Sequence, residues 1–163
     1  MISRRGFAAS ALRGKIRAMS DRQTELEIDV GGEQVLLEQI EAVEGLSQPF
    51  QITVDIIAPL GELDLLPHLG KPVSVTLKQD DELQRYFHGL AIEGEYTRES
   101  QDGFHYRLQL RPWTYFLSQN SNYAIFQDKD ALAIIKQVID DAGISDVDYG
   151  KVTNRSKREY CVQ

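Results

Sequence analysis

The chain has 163 residues, of which 42% are hydrophobic and 26% are charged, as in ordinary globular proteins of about one domain. No apolar run approaches the 18 or more residues of a membrane span, and the single cysteine, Cys161, excludes an internal disulfide. The net charge of −7 argues against binding to the phosphate backbone of nucleic acids, which is itself negatively charged.

The charge is unevenly distributed along the chain. Residues 1–20 contain five basic side chains and no acid, whereas the remaining residues contain 13 basic and 25 acidic side chains, a net charge of −12. The three histidines, His68, His88 and His105, are scattered and lack the spacing of zinc ligands. We therefore expect an acidic body that has no nucleic-acid partner, no metal and no cofactor.

The first twenty residues form a basic leader in our interpretation. The letters SRRGF resemble the opening of a twin-arginine export signal. An export signal needs an uninterrupted apolar stretch, but FAASAL is followed at once by Arg13, Lys15 and Arg17. The sequence therefore predicts a disordered leader over 1–20 that lies outside the fold.

The next segment reads as two strands joined by a tight turn. TELEIDV (24–30) alternates polar and apolar residues, as half-buried strands do. EQVLLEQIEAVEG (33–45) continues in an extended pattern. Because Gly31-Gly32 separates these runs, the sequence predicts a hairpin at this point.

Two further strands follow, with a compact connector between them. FQITVDIIA (50–58) is rich in β-branched residues and ends at Pro59. KPVSVTLKQ (71–79) alternates cleanly between apolar and polar residues. The connector over 61–70 is predicted to contain one helical turn that ends at Gly70.

A long hairpin is predicted around the dipeptide Asp102-Gly103, which is strong turn chemistry. Its strands cover 84–99 and 104–113. In the second strand Tyr106, Leu108 and Leu110 share one face, and the basic and amide side chains between them share the other. Pro112 cannot donate to a ladder and should end the strand.

After this hairpin the period changes to that of a helix. DKDALAIIKQVIDDAG (128–143) carries an apolar stripe at helical spacing. Asp128 or Asp130 can cap its start, and Gly143 suits its end. The final YCVQ resembles the beginning of a strand. The whole pattern predicts a mainly β fold with a helix, in which about six antiparallel strands close into a small barrel or pack as α+β.

Catalytic chemistry is poorly supported by the residues. His88 and His105 flank one hairpin, but no GxSxG or other nucleophile motif accompanies them. We interpret His88 as packed on a strand beside Gly89, which permits a bulge or a close backbone approach. The acid pairs Asp80-Asp81 and Asp140-Asp141 are expected to be solvated in a turn and on a polar helix face.

An aromatic cluster follows the long hairpin. Trp113, Tyr115 and Phe116 offer a stacking platform for a ligand in one interpretation. Aromatic residues at the corner between a strand and a loop more often belong to the core. The sequence therefore predicts that these three side chains are core residues.

Six segments taken in order carry a resemblance to a known family. They are LSQPFQITVDIIA, LLPHLGKPVSVTL, RYFHGLAIEGEYTRE, YRLQLRPWTYFLS, IFQDKDALAIIKQVIDDAG and REYCVQ. Together they resemble the N-terminal hub region of VgrG proteins, the spike proteins of the type VI secretion system, which are related to contractile-phage baseplate hubs and tail protein D. The resemblance runs from about Leu26 to Gln163.

The resemblance implies a structural protein that is not an enzyme. Family members form homotrimers that join the hexameric Hcp tube to a membrane-puncturing needle, and some carry effectors or adaptors. It also implies assembly in the bacterial cytoplasm, release outside the cell on firing, and no stable membrane insertion. The expected layout is a basic leader over 1–20, a β-barrel-like hub module over 21–127, and over 128–163 a helical segment with the start of a next, truncated module.

The resemblance carries over structural positions rather than catalytic ones. The family-motif residues are Pro49, Phe50, Gly70, Pro72, Val73, Phe87, His88, Gly89, Leu110, Arg111, Pro112, Trp113, Phe126, Gly143 and Tyr160. The strands around His88 and Arg111 would be wall strands of the first barrel, and Arg111-Pro112-Trp113 would be its corner. Three alternatives stay open: a phage tail hub, a stand-alone ligand-binding β domain, and a hydrolase that uses His88 or His105.

Overall fold

The computed structural model describes residues 12–17, 24–79, 83–119, 123–145, 147–151 and 156–162. These residues form a mainly β fold with short helices, as predicted. The strands are β1 (Leu12–Arg17), β2 (Thr24–Asp29), β3 (Leu36–Gly45), β4 (Gln48–Ala58), β5 (Pro72–Gln79), β6 (Leu83–Ser100), β7 (Gly103–Arg111), β8 (Ile125–Lys129) and β9 (Arg158–Val162). The helices are a 3-10 turn (Leu66–His68), α1 (Thr114–Gln119) and α2 (Ala131–Asp141), and no helix of the described residues is long and apolar enough to cross a membrane.

Seven strands form one antiparallel sheet in the order β1-β3-β4-β7-β6-β5-β2. β2 and β3 are not hydrogen-bonded to each other, yet their Cα atoms come within 8 Å. In a flat sheet the four strands between them would hold them roughly 24 Å apart. The sheet therefore curls into a half-barrel, which confirms the predicted barrel-like architecture.

The predicted hairpin at Gly31-Gly32 is wrong. β2 pairs with β5 along its whole length, from Thr24 opposite Gln79 to Asp29 opposite Ser74. Both glycines do adopt positive φ, 62° and 85°, but three unpaired residues follow before β3 begins. The turn therefore sends the chain across the end of the barrel, where Val30 is fully buried, instead of folding it back on β2.

The predicted disordered leader is also wrong for Leu12–Arg17, because these residues form β1. They pair antiparallel with β3, and Lys15 stands opposite Glu41 in the register. The segment LRGKIR alternates apolar or small residues with basic ones, which is the period of a strand. The rest of the leader lies outside the described residues.

The core lies inside the curled sheet and is built from alternate strand positions. Tyr106, Leu108 and Leu110 share one face of β7, as predicted, and all three are buried. They pack with the inward-facing residues of the neighbouring strands in one cluster. That cluster includes Ile40, Ile52, Val54, Ile56, Val73, Val75, Phe87 and Ala91. Each fully buried aliphatic side chain contributes about 1.5–3 kcal/mol relative to an exposed one.

The connector between β4 and β5 covers one end of the half-barrel. Leu63 and Leu65 pack against the core, and the Leu63 amide donates a hydrogen bond of 2.8 Å to the Tyr106 hydroxyl. Leu65 can approach because Gly94 has no side chain: a Cβ there would lie 2.9 Å from Leu65 Cδ1. The predicted helical turn is present as Leu66–His68, and Gly70 with a φ of 75° follows it.

A second compact unit covers Phe116–Gln163, and the first covers Met1–Tyr115. In the second unit β8 pairs antiparallel with β9, a pairing that the sequence did not suggest for 125–129. The division therefore lies before β8, earlier than the predicted 127/128 boundary. The strand expected at YCVQ is present as part of β9.

Helix α2 forms where the apolar stripe predicted it. Asp130 caps its start, since the Ala133 amide donates to Asp130 Oδ1 at 2.8 Å. At its end Gly143 has a φ of 73°, and the amides of Gly143 and Ile144 donate to the carbonyls of Asp140 and Ile139. This pair of bonds is a Schellman motif, which satisfies the last helical carbonyls.

Candidate functional site

The residues singled out in the barrel wall meet around Gly89 of β6. A Cβ at this position would lie 3.0 Å from Leu110 Cβ, 3.2 Å from the Arg111 carbonyl oxygen and 3.3 Å from Phe50 Cε2. Gly89 also stands opposite Val73 in the register. The backbone of β7 and two core side chains thus approach Gly89 so closely that only a glycine fits without displacing them. The structure brings these five residues together, and their shared family role stays a prediction.

The corner after β7 is only partly as expected. β7 ends at Arg111 and Pro112 follows, as predicted. The Arg111 guanidinium lies 5.3 Å from the centre of the Tyr115 ring, which is a cation–π distance. The prediction that Trp113, Tyr115 and Phe116 are core residues is wrong, because the first two are partly exposed and Phe116 is 40% exposed. The strand has already ended here, so these rings no longer alternate into the barrel.

His88 lies on the outer face of β6 and is exposed. Its Nδ1 is 2.8 Å from the hydroxyl of Ser74, which stands opposite it in the register. Two other singled-out residues, Phe126 and Tyr160, lie in the second unit. Phe126 is buried opposite Cys161, and Tyr160 is exposed.

The most elaborate polar arrangement of the described residues surrounds His105 on β7. His105 Nδ1 lies 3.0 Å from Glu38 Oε2, and its Nε2 lies 2.8 Å from the Ser100 hydroxyl. Arg98 donates to Glu38 Oε1 at 3.1 Å, and the Thr97 hydroxyl donates to the His105 carbonyl at 3.1 Å. We call Glu38, Thr97, Arg98, Ser100 and His105 the polar cluster.

Two strand irregularities build the polar cluster. The register of β3 shifts between Leu37 and Gln39, so Glu38 is an extra residue without a partner on β4. The register of β6 shifts in the same way at Thr97. Such bulges re-aim side chains. Here they allow Glu38 to reach past β4 to His105, which lies two strands away.

Sequence reasoning missed the polar cluster, although one signal was present. Glu38 and Gln39 are two successive polar residues between Leu37 and Ile40, both of which are buried. Strict alternation permits only an odd number of residues between two inward positions, so an even number indicates a bulge. The partner of that bulge, His105, could not be inferred because it lies 67 residues away.

The serine, histidine and glutamate of the polar cluster are connected as in a hydrolase triad. The surroundings favour a structural role. His105 is only 3% exposed, and the Ser100 hydroxyl also accepts the Asp102 amide of the β6–β7 turn at 3.1 Å. With its proton on Nδ1, the ring donates to Glu38 and accepts from Ser100, so both nitrogens are satisfied without a substrate. Arg98 balances the charge of Glu38.

A second polar contact joins β4 to β7 on the outer face. Arg107 donates to both carboxylate oxygens of Asp55, with Nε–Oδ1 at 2.7 Å and Nη2–Oδ2 at 3.2 Å. The two residues stand opposite each other in the register. The hydrogen bond to Asp55, and then the attraction of its charge, raise the pKa of Arg107 above its ordinary value.

Metal chemistry has no evident place in the part of the chain that the structure describes. No three His, Cys, Asp or Glu residues there are grouped to hold an ion. Asp140 and Asp141 are exposed at the end of α2, as expected for solvated acids. Asp80 and Asp81 lie outside the described residues.

The matching family model covers residues 43–163 and is that of the phage tail baseplate hub (GPD). Among curated relatives, the type VI secretion system spike protein VgrG1b of Pseudomonas aeruginosa is 33% identical over 146 residues, which are 90% of this chain and 20% of the relative. The spike protein VgrG1c of the same organism is 31% identical over 96% of this chain and 22% of its own length. The chain thus spans about a fifth of the length of these relatives.

A solved structure agrees with the fold. It is that of the E. coli c3393 protein, reported as a component of the type VI secretion system that exhibits structural similarity to the T4 bacteriophage tail proteins gp27 and gp5. The TM-score is 0.66, with 84% of this chain and 38% of that chain covered. The sequence identity is 19%, so this likeness supports the architecture and not the activity.

Proposed function

Because the chain belongs to the phage tail baseplate hub family, we propose that it forms the N-terminal hub part of a type VI secretion spike protein. The observation that carries this proposal is that spike proteins match nearly the whole chain, 90% and 96% of it in two cases. The curled antiparallel sheet agrees with it, since a type VI secretion component has the same fold over 84% of the chain.

The proposed role is mechanical. The hub assembles as a homotrimer in the full-length protein, seats on the Hcp tube, and transmits the push of the tube to the needle, with effector or adaptor proteins as further partners. A rigid wall suits this task. The polar cluster and the Asp55–Arg107 pair fasten β3, β4, β6 and β7 to one another outside the apolar core. No catalytic step and no cofactor belong to this role.

In this role the first unit is a hub module, and the second unit belongs to the junction with the later domains of longer spike proteins. The protein would be assembled in the bacterial cytoplasm and leave the cell on firing. The family-motif residues around Gly89 would maintain the wall, and Arg111-Pro112-Trp113 would set the corner after β7.

The test is a secretion assay on the complete protein that contains this chain. The gene is deleted in its host, and Hcp is measured in the culture supernatant by immunoblot. The proposal expects Hcp release to fall and to be restored by the wild-type gene. A Gly89→Trp variant should fail to restore it, whereas His88→Ala should succeed. Unchanged Hcp release in a strain whose other spike genes are also deleted would overturn the proposal.

A phage tail hub is the second candidate, favoured by the description of the matching family model. The two candidates differ in the tube on which the hub is seated. If the complete protein copurifies with a phage tail tube, and Hcp release does not depend on it, the tail hub is the correct function.

A further inference from the structure

One end of the half-barrel carries a cleft of about 280 Å³. It lies between the link that joins β2 to β3 and the connector that follows β4, and its lining is residues 32–35, Ala58 and residues 60–63. We call it the acidic cleft. Ligand pockets for drug-sized molecules usually exceed about 300 Å³, so this one suits a single long side chain better than a cofactor.

The walls of the acidic cleft are apolar and its rim is acidic. Val35, Ala58, Leu60 and Leu63 supply the apolar surface, and Leu60 is 79% exposed although it is aliphatic. Glu33 and Glu62 also line the cleft, and both residues are exposed. The lining residues include no lysine or arginine. The cleft therefore combines apolar contact with two glutamates and no basic residue in its lining.

The carboxylates of the cleft are poorly paired, unlike those of the barrel wall. Glu38, Glu44 and Asp55 each bind an arginine of β6 or β7. Glu33 lies 3.5 Å from His68 Nε2, and Glu62 has no hydrogen-bond or ion-pair partner among the described residues. An arriving cation would thus meet two carboxylates that no arginine of the described residues neutralises.

The walls are also held in place before any partner arrives. The Leu63 amide donates to the Tyr106 hydroxyl at 2.8 Å, which fixes the connector to the core. On the other wall, the Gly32 amide donates to Asp29 Oδ1 at 3.0 Å and the Glu33 amide donates to the Val30 carbonyl at 3.2 Å. A preformed cleft loses little conformational entropy on binding.

We propose that the acidic cleft binds an arginine side chain presented by a partner polypeptide. The methylene stem of arginine would lie along Val35, Ala58 and Leu63 while its guanidinium reaches Glu33 and Glu62. Arginine fits better than lysine because its planar fork binds carboxylates with two parallel hydrogen bonds. Exposed Leu60 beside the cleft indicates that the arginine is flanked by an apolar residue.

The test uses NMR amide spectra of the ¹⁵N-labelled 163-residue chain, titrated to about 10 mM with the peptide acetyl-Gly-Leu-Arg-Leu-Gly-amide, since an isolated side-chain site binds weakly. The proposal expects saturable shifts at Gly32 and Gly61, whose amides lie in the two walls. A peptide in which citrulline replaces arginine keeps the shape without the charge. It should bind at least about tenfold more weakly, the difference expected for a charge-assisted contact.

The variants Glu33→Gln and Glu62→Gln should each reduce the affinity, and the exposed Glu93→Gln on β6 should not. Leu60→Ser serves as a second variant that leaves both charges in place and should also weaken binding. Absence of shifts, equal binding of the citrulline peptide, or shifts centred on α2 would overturn the proposal. The outcome is independent of Hcp release, so its failure is distinguishable from failure of the proposed function.

Discussion

Glu38 Oε2 lies 3.0 Å from His105 Nδ1, although 67 residues and one intervening strand separate the two. The contact exists because β3 bulges at Glu38. His105 lies on the outer side of the sheet, because the neighbouring Tyr106 occupies the inner side. Its imidazole is nevertheless buried. Replacing His105 by alanine removes two hydrogen bonds from a buried position.

We expect His105→Ala to lower the free energy of unfolding by about 2–3 kcal/mol, because buried partners lose their hydrogen bonds. Urea denaturation followed by circular dichroism measures it. The matched control is His88→Ala, which removes an exposed histidine that also contacts a serine and should change stability by less than about 0.5 kcal/mol. Equal effects of the two variants would contradict the structural role of the polar cluster.

Gly89→Ala is expected to cost about 1–3 kcal/mol, because its Cβ would meet the Arg111 carbonyl and Leu110 Cβ, neither of which can rotate away. Gly94→Ala is the matched comparison. There the nearest atom, Leu65 Cδ1, is the far end of a flexible side chain, so the cost should be smaller. Thermal unfolding of both variants ranks them, and the reverse order would refute this account of the wall.

Asp130→Ala should destabilise α2 by about 1 kcal/mol, because the Ala133 amide loses its capping oxygen. The rate of amide hydrogen exchange at residues 131–134 measures this loss of helix stability. Asp141→Ala is the control: it removes an acid from the negative end of the helix dipole and should leave protection unchanged or slightly higher. Equal loss of protection in both variants would argue against capping by Asp130.

Asp55→Asn is expected to lower stability by about 0.5–1 kcal/mol, a modest value because Arg107 is 46% exposed at its side chain. The loss should shrink in high salt, which screens the pair in the wild type. The raised pKa of Arg107 stabilises the fold below the unfolded pKa of arginine, and that contribution is lost only as pH rises above it. The contribution of Arg107 to the free energy of unfolding should therefore be the same at pH 6 and pH 9. Denaturation curves of the wild type and of Asp55→Asn at both pH values check this.

The sequence was informative wherever the determining interactions are local. Alternation identified β5 and β7, β-branched composition identified β4, and the stripe and caps identified α2, because each signal depends on residues a few positions apart. The partner of β2 depends on a distant strand, so the local turn chemistry of Gly31-Gly32 predicted the wrong neighbour. β1 was missed because its three basic residues suggested a leader, although they alternate with apolar or small residues at the period of a strand.

The candidate site was less accessible from the sequence. The acidic cleft needs both the 32–35 link and the 58–63 connector, and the pairing of β3 with β4 places them side by side, since Leu36 stands opposite Ile57. The polar cluster depends on two register shifts whose effects meet at His105. The prediction that the aromatic residues of the corner are core residues was wrong for a different reason. Trp113 and Phe116 are of the residue types found in cores, but they lie beyond the end of the last barrel strand.

The pairing of β2 with β5 also constrains the order in which the barrel can be completed during synthesis. β3 with β4 and β6 with β7 are joined by turns of two residues and can form as soon as they emerge. β2 leaves the ribosome before all of them, yet Thr24 must wait for Gln79 to appear. The earliest of these strands to be translated is therefore among the last to be docked, and its unpaired edges stay open to mispairing until then.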